Sequence, residues 1–331
     1  MSPRPTQPTP FADLIGHQAV AEFMRRSINQ QTVSHAYLVS GPSRVGKTTF
    51  VRQLVGSLIC HQPISGLACQ QCLACQQYQR GIHPDINWLT PAIDPKTSEQ
   101  LSQISVEQVR ELIGKLSQGT FLNGRKIGVI EPAESLSGGA ANALLKTLEE
   151  PRPETVLILI TNDEQRLPTT LVSRCQRLRL ELVGRDVIAD ALMARGCQRH
   201  LASEIAQAAG GRPGRALDFY HQPEFWKDYQ QVTQDFFTFC QIPTMRAMNG
   251  LLEAVTDDDH QQSEKQWWQE RLDTWLSVLH DILLQGFASQ AVLTPGDCQR
   301  FSERLFATQQ AIRSNVNPKL AVENLLLTFI H

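Results

Sequence analysis

The sequence comprises 331 residues, of which 41% are hydrophobic and 19% charged, and this is enough for two or three domains with separate cores. The formal net charge of -2 argues against a protein that coats nucleic acid through its overall charge, so any contact with DNA would need a local basic patch. No apolar run has the length of a membrane span and the first ten residues lack a signal-peptide pattern, so we expect a cytoplasmic protein with no membrane contact.

Residues 1–10 are rich in proline and threonine and are predicted to form a disordered leader. The segment from Phe11 to Gln18 comes next and leads into a predicted helix. The first apolar positions of that helix are Ala19, Val20, Phe23 and Met24. Two interpretations of the segment stay open: it docks at the edge of a domain, or it contacts the adenine of a bound nucleotide.

The stretch 41–49 fits the pattern G-x-x-x-x-G-K-[ST] of a phosphate-binding loop, or P-loop. It consists of Gly41, Pro42, Ser43, Arg44, Val45, Gly46, Lys47, Thr48 and Thr49. A predicted buried strand at 35–39 precedes the loop and a predicted helix follows it, which is the context that the motif requires. The glycines let backbone N–H groups converge on phosphates, Lys47 would reach the β- and γ-phosphates, and Thr48 would bind Mg²⁺. The motif predicts a site for ATP or ADP with Mg²⁺; the alternative is an ordinary glycine-rich turn.

Eight cysteines occur in the chain, and disulfides are not expected in a reducing compartment. Four of the cysteines are clustered with the spacing C-x8-C-x2-C-x2-C. They are Cys60, Cys69, Cys72 and Cys75. Four thiolates within reach of one ion suit structural Zn²⁺, and a site filled by protein leaves no open position for catalysis. The alternatives are a redox dithiol, which would leave a second cysteine pair unexplained, and a degenerate or vacant site.

A strand and a helix are predicted between the cysteines and the next acidic motif. The strand covers 85–90, and the helix begins after Ser105. Ser105 and Gln108 fit a capping box, and Ile104 with Val109 fits a hydrophobic staple. The buried face of the helix is predicted to contain Val109, Leu112, Ile113 and Leu116. We interpret this helix as scaffold.

A predicted buried strand at 126–131 ends in Glu131, where a P-loop protein places an acid on the Mg²⁺ side of the nucleotide. Hydrolysis also needs a group that orients the attacking water, usually an acid just after the first, and that position holds Pro132. Glu134 could replace the missing acid only if the loop curled back. The sequence therefore predicts nucleotide binding with little or no hydrolysis.

The last elements of this region are a helix at 139–150, ended by Pro151, and a buried strand at 156–162. Asn162 lies at the carboxyl end of the strand, where parallel sheets bind ligands, so we predict that it contacts the nucleotide. The segment 167–176 is predicted to close the domain. The alternation of strands and helices predicts an α/β fold with a mainly parallel sheet.

From Val183 onward the patterns are helical, with a glycine-rich break at 210–215. Candidate core positions before and at the break are Ile188, Leu192, Ile205 and Ala209. Two apolar stripes near the end of the sequence are predicted to be core. The first contains Trp268, Leu272, Trp275, Leu279 and Ile282, and the second contains Leu320, Val322, Leu325, Leu326 and Phe329.

Taken together, these motifs resemble the AAA+ clamp-loader ATPases. The resemblance depends on residues 34–38, the P-loop, the four cysteines, the run 140–151, and the segments 167–168 and 173–175. It implies three domains. Residues 11–181 would form an α/β AAA+ nucleotide-binding domain with a parallel sheet, flanking helices and a zinc module inserted at about 60–75. Residues 182–224 would form a small helical lid and residues 225–331 an all-α collar for oligomerisation.

The resemblance also implies a role as a subunit of a bacterial replicative clamp loader. The partners would be gamma/tau- and delta-type subunits in a hetero-pentameric ring, with the sliding clamp and primed DNA met through the complex. Arg174 resembles the arginine finger that reaches a neighbour's ATP site, which is sensible for a guanidinium supplied in trans to a phosphoryl group. The alternative for Arg174 is a surface salt bridge.

Two departures from the family pattern affect the predicted role. The motor subunits' Asp-Glu pair is replaced by Glu131-Pro132, and Gly214 stands where the lid's sensing arginine is expected, with Arg215 one residue later and Arg212 two residues earlier. These departures favour a stator-like subunit that binds nucleotide without working as a motor. A gamma/tau-type motor with its own hydrolysis and a zinc-dependent nucleic-acid-binding module are the rival hypotheses.

Overall fold

The computed structural model describes residues 14–93, 101–122, 124–241, 268, 271–276, 278–279, 295–314 and 316–327. The predicted leader lies outside these residues, as do Phe11, Ile282 and Phe329. The chain divides into two compact units, 1–195 with 211–215, and 196–210 with 216–331. The finer division into an α/β domain, a lid and a collar stays a prediction.

A five-stranded parallel sheet forms the centre of the first unit. Its strands are β1 (Ala36–Ser40), β2 (Ile86–Leu89), β3 (Lys126–Ile130), β4 (Thr155–Thr161) and β5 (Gln176–Arg179). Their order across the sheet is β2-β3-β4-β1-β5. Every residue of β1, β3 and β4 is buried, because a parallel sheet covered by helices on both faces excludes water from both sides of its central strands.

Helices cover both faces of this sheet. They are α1 (Gln18–Asn29), α2 (Lys47–Leu58), α3 (Leu73–Gln79), α4 (Val106–Leu116), α5 (Gly138–Glu149) and α6 (Thr169–Val172). A further helix, α7 (Arg185–Met193), follows β5 in the chain. Alternate residues of β1 enter different cores: Tyr37 and Val39 pack in the cluster of α1 and α2, whereas Leu38 belongs to the cluster of α4 and α5. This arrangement follows from the period of two in a strand.

The predicted start of α4 is confirmed in detail. Ser105 accepts a hydrogen bond from the Gln108 backbone, and the Gln108 side chain accepts one from the Ser105 backbone, which completes the capping box. Ile104 and Val109 are both fully buried in the same cluster, as the hydrophobic staple requires.

The edge strand β5 was not predicted as a strand, because only Leu178 of its four residues is buried. Its pairing with β1 depends on contacts from elsewhere in the chain, and an edge position leaves its polar side chains in water.

The remaining helices are α8 (Arg199–Ala208), α9 (Pro213–His221), α10 (Pro223–Gln241), α11 (Pro295–Arg313) and α12 (Pro318–Leu327). The core of the second unit is aromatic and contains Phe236, Trp275 and Phe301. Both predicted apolar stripes contribute buried residues to this core. The first is confirmed at Trp268, Leu272, Trp275 and Leu279, and the second at Val322, Leu325 and Leu326. Leu320 was predicted to be core but is 62% exposed, because it lies on the outer side of the first turn of α12. In the described part of the chain, no helix is both long enough and apolar enough to cross a membrane.

Candidate functional site

The candidate nucleotide site lies where three adjacent strands, β3, β4 and β1, reach their carboxyl ends. Ser40 of β1 pairs in register with Thr161 of β4, so the P-loop and Asn162 leave the sheet at the same level. Glu131 follows β3 on the other side of β4. A cavity of about 300 Å³ opens at this edge, and its lining includes Ser43, Arg44, Gly46, Lys47, Thr48, Thr49, Glu131, Asn162 and Gly214. The structure therefore brings together residues that are far apart in sequence.

The backbone of the P-loop requires glycine where the motif has it. Gly41 has a φ of 148°, and a Cβ there would lie 2.1 Å from the carbonyl oxygen of Leu180. The loop then leads directly into α2, whose first residue is Lys47, so the positive end of that helix faces the cavity. Val45 is fully buried in the core, and Gly41 and Pro42 are not among the residues that line the cavity. The predicted contacts of these three residues with a nucleotide stay predictions.

Lys47 is held by three acceptors of its own chain. Its Nζ donates to the carbonyl oxygens of Gly41 and Pro42, at 2.8 and 2.6 Å, and to Oδ1 of Asn162 at 2.8 Å. Burial lowers the pKa of Lys47 to about 8, although the charges of Glu134 and Glu131 act in the opposite direction. The lysine is thus held at the cavity by groups of its own chain.

Thr48 and Glu131 form the second polar contact of the cavity. Thr48 Oγ1 donates to Glu131 Oε1 at 2.5 Å. A hydroxyl and a carboxylate oxygen are ligands that Mg²⁺ accepts beside the phosphates of a nucleotide. These two residues fit the predicted Mg²⁺ site.

Glu134 does curl back toward the strand ends. The residues after Pro132 form a single 3₁₀ turn, Ala133–Ser135. Oε1 of Glu134 accepts from the backbone N–H of Asn162 at 3.2 Å and from its Nδ2 at 3.0 Å. Glu134 does not line the cavity, however, so it is not placed as a substitute for the acid missing at Pro132.

Gly214 lies against the P-loop. Its N–H donates to the carbonyl oxygen of Arg44 at 2.8 Å, and a Cβ at this position would lie 2.7 Å from the same oxygen. At the position where the resemblance predicts a sensing arginine, the chain therefore has a glycine whose backbone packs against the P-loop. Arg212 and Arg215 are half-buried beside it, and their roles stay unassigned.

The segment before α1, predicted to dock or to contact adenine, is described from residue 14 onward. Nε2 of His17 lies 3.0 Å from the carbonyl oxygen of Val45 in the P-loop. This contact ties the segment to the loop, and the adenine interpretation stays a prediction.

The four clustered cysteines converge on one point. Their sulfur atoms all lie within 4.8 Å of one another, and Cys60 Sγ is 4.0 Å from Cys72 Sγ. Tetrahedral Zn²⁺ with Zn–S bonds of about 2.3 Å would place sulfurs about 3.8 Å apart, so the donor set fits the ion. Burial raises the pKa of the Cys60 and Cys75 thiols, so zinc binding would have to release their protons.

Local structure explains how the cysteines meet. Cys60 follows α2, Cys72 caps α3 and Cys75 lies in the first turn of α3. A tight turn closed by the pairing of Ile64 with Leu67 brings Cys69 back to them, and the Cys69 N–H donates to Cys60 Sγ at 3.2 Å.

Arg174 lies just after α6, away from the lining of the nucleotide cavity of its own chain. Its Nη2 is 2.7 Å from Glu149 Oε1, and its Nη1 donates to the carbonyl oxygen of Thr170 at 2.8 Å. The predicted alternative, a surface salt bridge, is therefore present within the chain. A contact with a neighbouring subunit is not tested by a single chain.

The family model described as DNA polymerase III, delta subunit, matches residues 16–183, just over half of the chain. This chain belongs to the DNA polymerase III delta subunit family. The matched residues contain the sheet, the P-loop, the four cysteines and Arg174. This family membership agrees with the resemblance that the sequence motifs predicted.

Relatives of this DNA polymerase III chain include subunits of two types. Subunit delta-prime of Pseudomonas aeruginosa is 42% identical over 151 residues, which cover 46% of this chain and 44% of the relative. Subunit gamma of Buchnera aphidicola from Acyrthosiphon pisum is 31% identical over 185 residues, covering 56% and 49%. The chain therefore spans about half the length of these curated relatives. Matches to subunits of both types agree with the predicted family resemblance, and the non-motor role stays a prediction.

A solved structure supports the fold of this delta-family chain. A gamma subunit-related DNA polymerase III protein from Thermotoga maritima gives a TM-score of 0.50 at 16% identity and covers 93% of this chain and 97% of that one. The predicted fold class is confirmed: an α/β domain with a parallel sheet and flanking helices, followed by a helical region.

One polar contact of this family member's site was missed from the sequence. Ser40, which directly precedes the P-loop, donates to Oε1 of Glu164, and Arg177 lies 3.9 Å from the other oxygen of that carboxylate. Glu164 therefore contacts side chains of both β1 and β5. The sequence does show an acidic residue, Glu164, shortly after Asn162. It does not indicate that Ser40 is the hydrogen-bond partner of this residue.

Proposed function

We propose that this chain is a stator-like subunit of the bacterial replicative clamp loader that binds ATP or ADP with Mg²⁺ and hydrolyses it slowly or not at all. The observation that carries the proposal is a P-loop whose Lys47 and Thr48 line one cavity with Glu131, while Pro132 stands at the next position, where a water-orienting acid is usual. Hydrolysis depends on a group that orients the attacking water, so its loss affects turnover more than binding.

The cavity suggests a division of roles. The backbone of the P-loop would hold the phosphates, Lys47 would contact the β- and γ-phosphates, and Thr48 and Glu131 would hold Mg²⁺, which would neutralise phosphate charge. Asn162 would lie beside the phosphates at the end of β4, with its oxygen on Lys47. Zn²⁺ bound to the four cysteines would stabilise the segment between α2 and α3.

The partners would be gamma/tau- and delta-type subunits in a hetero-pentameric ring in the cytoplasm, which would load the sliding clamp onto primed DNA. In this ring Arg174 would contact the ATP of an adjacent subunit and stabilise charge on the transferred phosphoryl group. Support comes from the half-buried position of Arg174 at the surface, where its side chain is 36% accessible and lies outside the lining of the chain's own cavity.

Calorimetric titration of the purified chain with Mg·ADP and Mg·ATP tests the proposal. We expect binding of nucleotide, and Lys47→Ala should weaken it at least about tenfold, because a hydrogen bond to a charged group contributes roughly 1.5–3 kcal/mol. Lys115→Ala is the control, since this lysine lies on the surface of α4 and pairs with Glu111. Absence of binding to the wild-type chain would contradict the proposal.

A gamma/tau-type motor is the second candidate, favoured by the intact P-loop. The same preparations distinguish it through their steady-state ATPase rate: robust turnover that disappears in Lys47→Ala would replace the stator proposal with the motor.

A zinc-dependent nucleic-acid module is favoured only if changes at Cys69 and Cys72 abolish DNA binding while subunit assembly survives.

A further inference from the structure

Asn162 connects the P-loop lysine to a carboxylate outside the cavity. Its Oδ1 accepts from Lys47 Nζ at 2.8 Å, and its Nδ2 donates to Glu134 Oε1 at 3.0 Å. Its backbone N–H donates to the same oxygen at 3.2 Å, so the Glu134 carboxylate accepts hydrogen bonds from both the backbone and the side chain of Asn162.

The chemistry of the two partners fixes which end of the amide faces the cavity. An ammonium group can only donate hydrogen bonds, and an ionised carboxylate can only accept them. Asn162 must therefore turn its oxygen toward Lys47 and its NH₂ group toward Glu134. The opposite orientation would place two donors together at Lys47 and two acceptors together at Glu134.

With the amide oriented in this way, few hydrogen-bond donors at this end of the cavity remain for an additional phosphate. Lys47 has three N–H hydrogens and three acceptors, which are the two P-loop carbonyls and the Asn162 oxygen. A phosphate oxygen arriving beside Asn162 would meet the amide oxygen instead of the NH₂ group. It would also approach the negative charges of Glu131 and Glu134, both of which act on Lys47.

The carboxylate of Glu134 is not placed to act on water. Its second oxygen is buried and has no hydrogen-bond partner within the described residues, and the residue does not line the cavity. Its contacts with Asn162 are instead charge-assisted hydrogen bonds, which are about twice as strong as neutral ones. Glu134 is thus suited to hold Asn162 rather than to activate a nucleophile.

We propose that Glu134 is a positioning residue that locks the Asn162 amide with its oxygen toward Lys47, so that the site prefers a nucleoside diphosphate to a nucleoside triphosphate. The P-loop backbone can still hold the α- and β-phosphates of a diphosphate. Lys47 can exchange one of its two bonds to loop carbonyls for the β-phosphate without breaking its bond to Asn162. A γ-phosphate must break the Lys47–Asn162 hydrogen bond and turn the amide, and the turn costs the bond to Glu134. This inference rests on the proposed nucleotide binding.

The test is calorimetric titration of Mg·ADP and Mg·ATP into the full chain and into Glu134→Gln. A neutral Gln side chain holds Asn162 by weaker hydrogen bonds and can also offer a donor to its oxygen, which releases the amide orientation. We expect the wild-type chain to bind ADP more tightly than ATP. Glu134→Gln should raise the ATP affinity about tenfold relative to ADP, the change that one hydrogen bond to a charged group can produce.

Glu134→Ala also removes the contact that orients the Asn162 amide. It should therefore raise the ATP affinity relative to the ADP affinity, as Glu134→Gln does. Glu150→Gln is the matched control, because this glutamate is exposed at the end of α5 and should leave both affinities unchanged. Thermal melting of each variant reports folding separately from the affinity ratio. An unchanged ATP-to-ADP ratio in both Glu134 variants would overturn the inference while leaving nucleotide binding intact. If the wild-type chain bound neither nucleotide, the proposed function would fall and the inference with it.

Discussion

Lys126 and Asp85 form a fully buried ion pair in the first unit, with 3.5 Å between Nζ and Oδ1. Asp85 also accepts from the backbone N–H groups of Phe121 and Leu122, and Lys126 donates to the carbonyl oxygen of Gly119 at 2.9 Å. The pair therefore ties the loop before β3 to the start of the strand. A buried charge is tolerated only while its partner is present, because it has lost its hydration.

Replacing Lys126 with methionine should lower the free energy of unfolding by about 3–5 kcal/mol, because Asp85 would be left buried without a compensating charge. Urea denaturation followed by circular dichroism measures this change. Lys115→Met is the control: its ion pair with Glu111 is exposed, and such pairs on a helix contribute only about 0.3–0.5 kcal/mol. Equal stability of the two variants would show that the buried pair is not required.

The candidate site could be predicted to the extent that its residues belong to local patterns. The P-loop and Glu131 follow directly from motif and strand position, and the structure places Lys47, Thr48 and Glu131 in one cavity. The contacts of Asn162 with Lys47 and Glu134 join residues up to 115 positions apart. Such contacts depend on strand order in the sheet, which a single sequence does not specify.

At the scale of elements, the segment between α2 and α3 is organised around sulfur rather than around a hydrophobic core. Cys60, Cys69 and Cys75 form a small cluster of their own, with Cys72 packed against it. Leu73 and Ile64 nearby are more than half exposed. A segment with so little apolar burial would gain much of its order from a metal ion held by the four cysteines.

The purified chain should therefore contain about one Zn²⁺ per molecule, in line with a four-cysteine structural site. Cys69→Ser should lose the metal and lower the melting temperature, because three thiolates hold zinc less tightly and the segment loses its anchor. Metal analysis by mass spectrometry and thermal melting measure both effects. Cys197→Ser is the control, since Cys197 is buried outside the cluster and should leave the zinc content unchanged. A metal-free wild-type chain with a disulfide in this cluster would favour the redox alternative.

Elements with strong local signals were predicted with nearly the observed bounds. The capping box located the start of α4, and the apolar runs located β1, β3 and β4. Weak periodicity accounts for the failures. The polar edge strand β5 carries one buried side chain, and Leu320 satisfied the spacing of the stripe on α12 while facing water. Spacing alone does not say on which side of a helix the neighbouring elements pack.

At the scale of the whole molecule, two compact units carry different kinds of interaction. The first holds the P-loop cavity and the cysteine cluster, and the second is helical with an aromatic core. A subunit of this kind can influence a ring without consuming nucleotide, provided that it presents a charged group to its neighbour. Arg174 is the proposed group, and only an assembled ring can test it.

Arg174→Ala in a ring reconstituted with gamma/tau- and delta-type subunits should lower the ATPase rate of the ring at least about tenfold, because arginine fingers supplied in trans contribute large factors to phosphoryl transfer. Assembly should survive, since the ion pair with Glu149 is solvent-exposed on both sides and such pairs contribute about 0–1 kcal/mol. Size-exclusion chromatography and steady-state ATPase assays measure the two properties separately.

Glu149→Ala is the control that separates the two interpretations of Arg174. It removes the same 2.7 Å ion pair but leaves the guanidinium in place. If Arg174 acts on a neighbour's phosphates, the ring with Glu149→Ala should keep its ATPase rate, since losing a competing carboxylate does not remove the cation. An equal loss of ATPase rate in both variants would mean that the ion pair itself supports the activity. Unchanged rates in both variants would mean that Arg174 forms only a surface salt bridge. Only loss in Arg174→Ala alone is consistent with a subunit that lends its arginine to the adjacent ATPase.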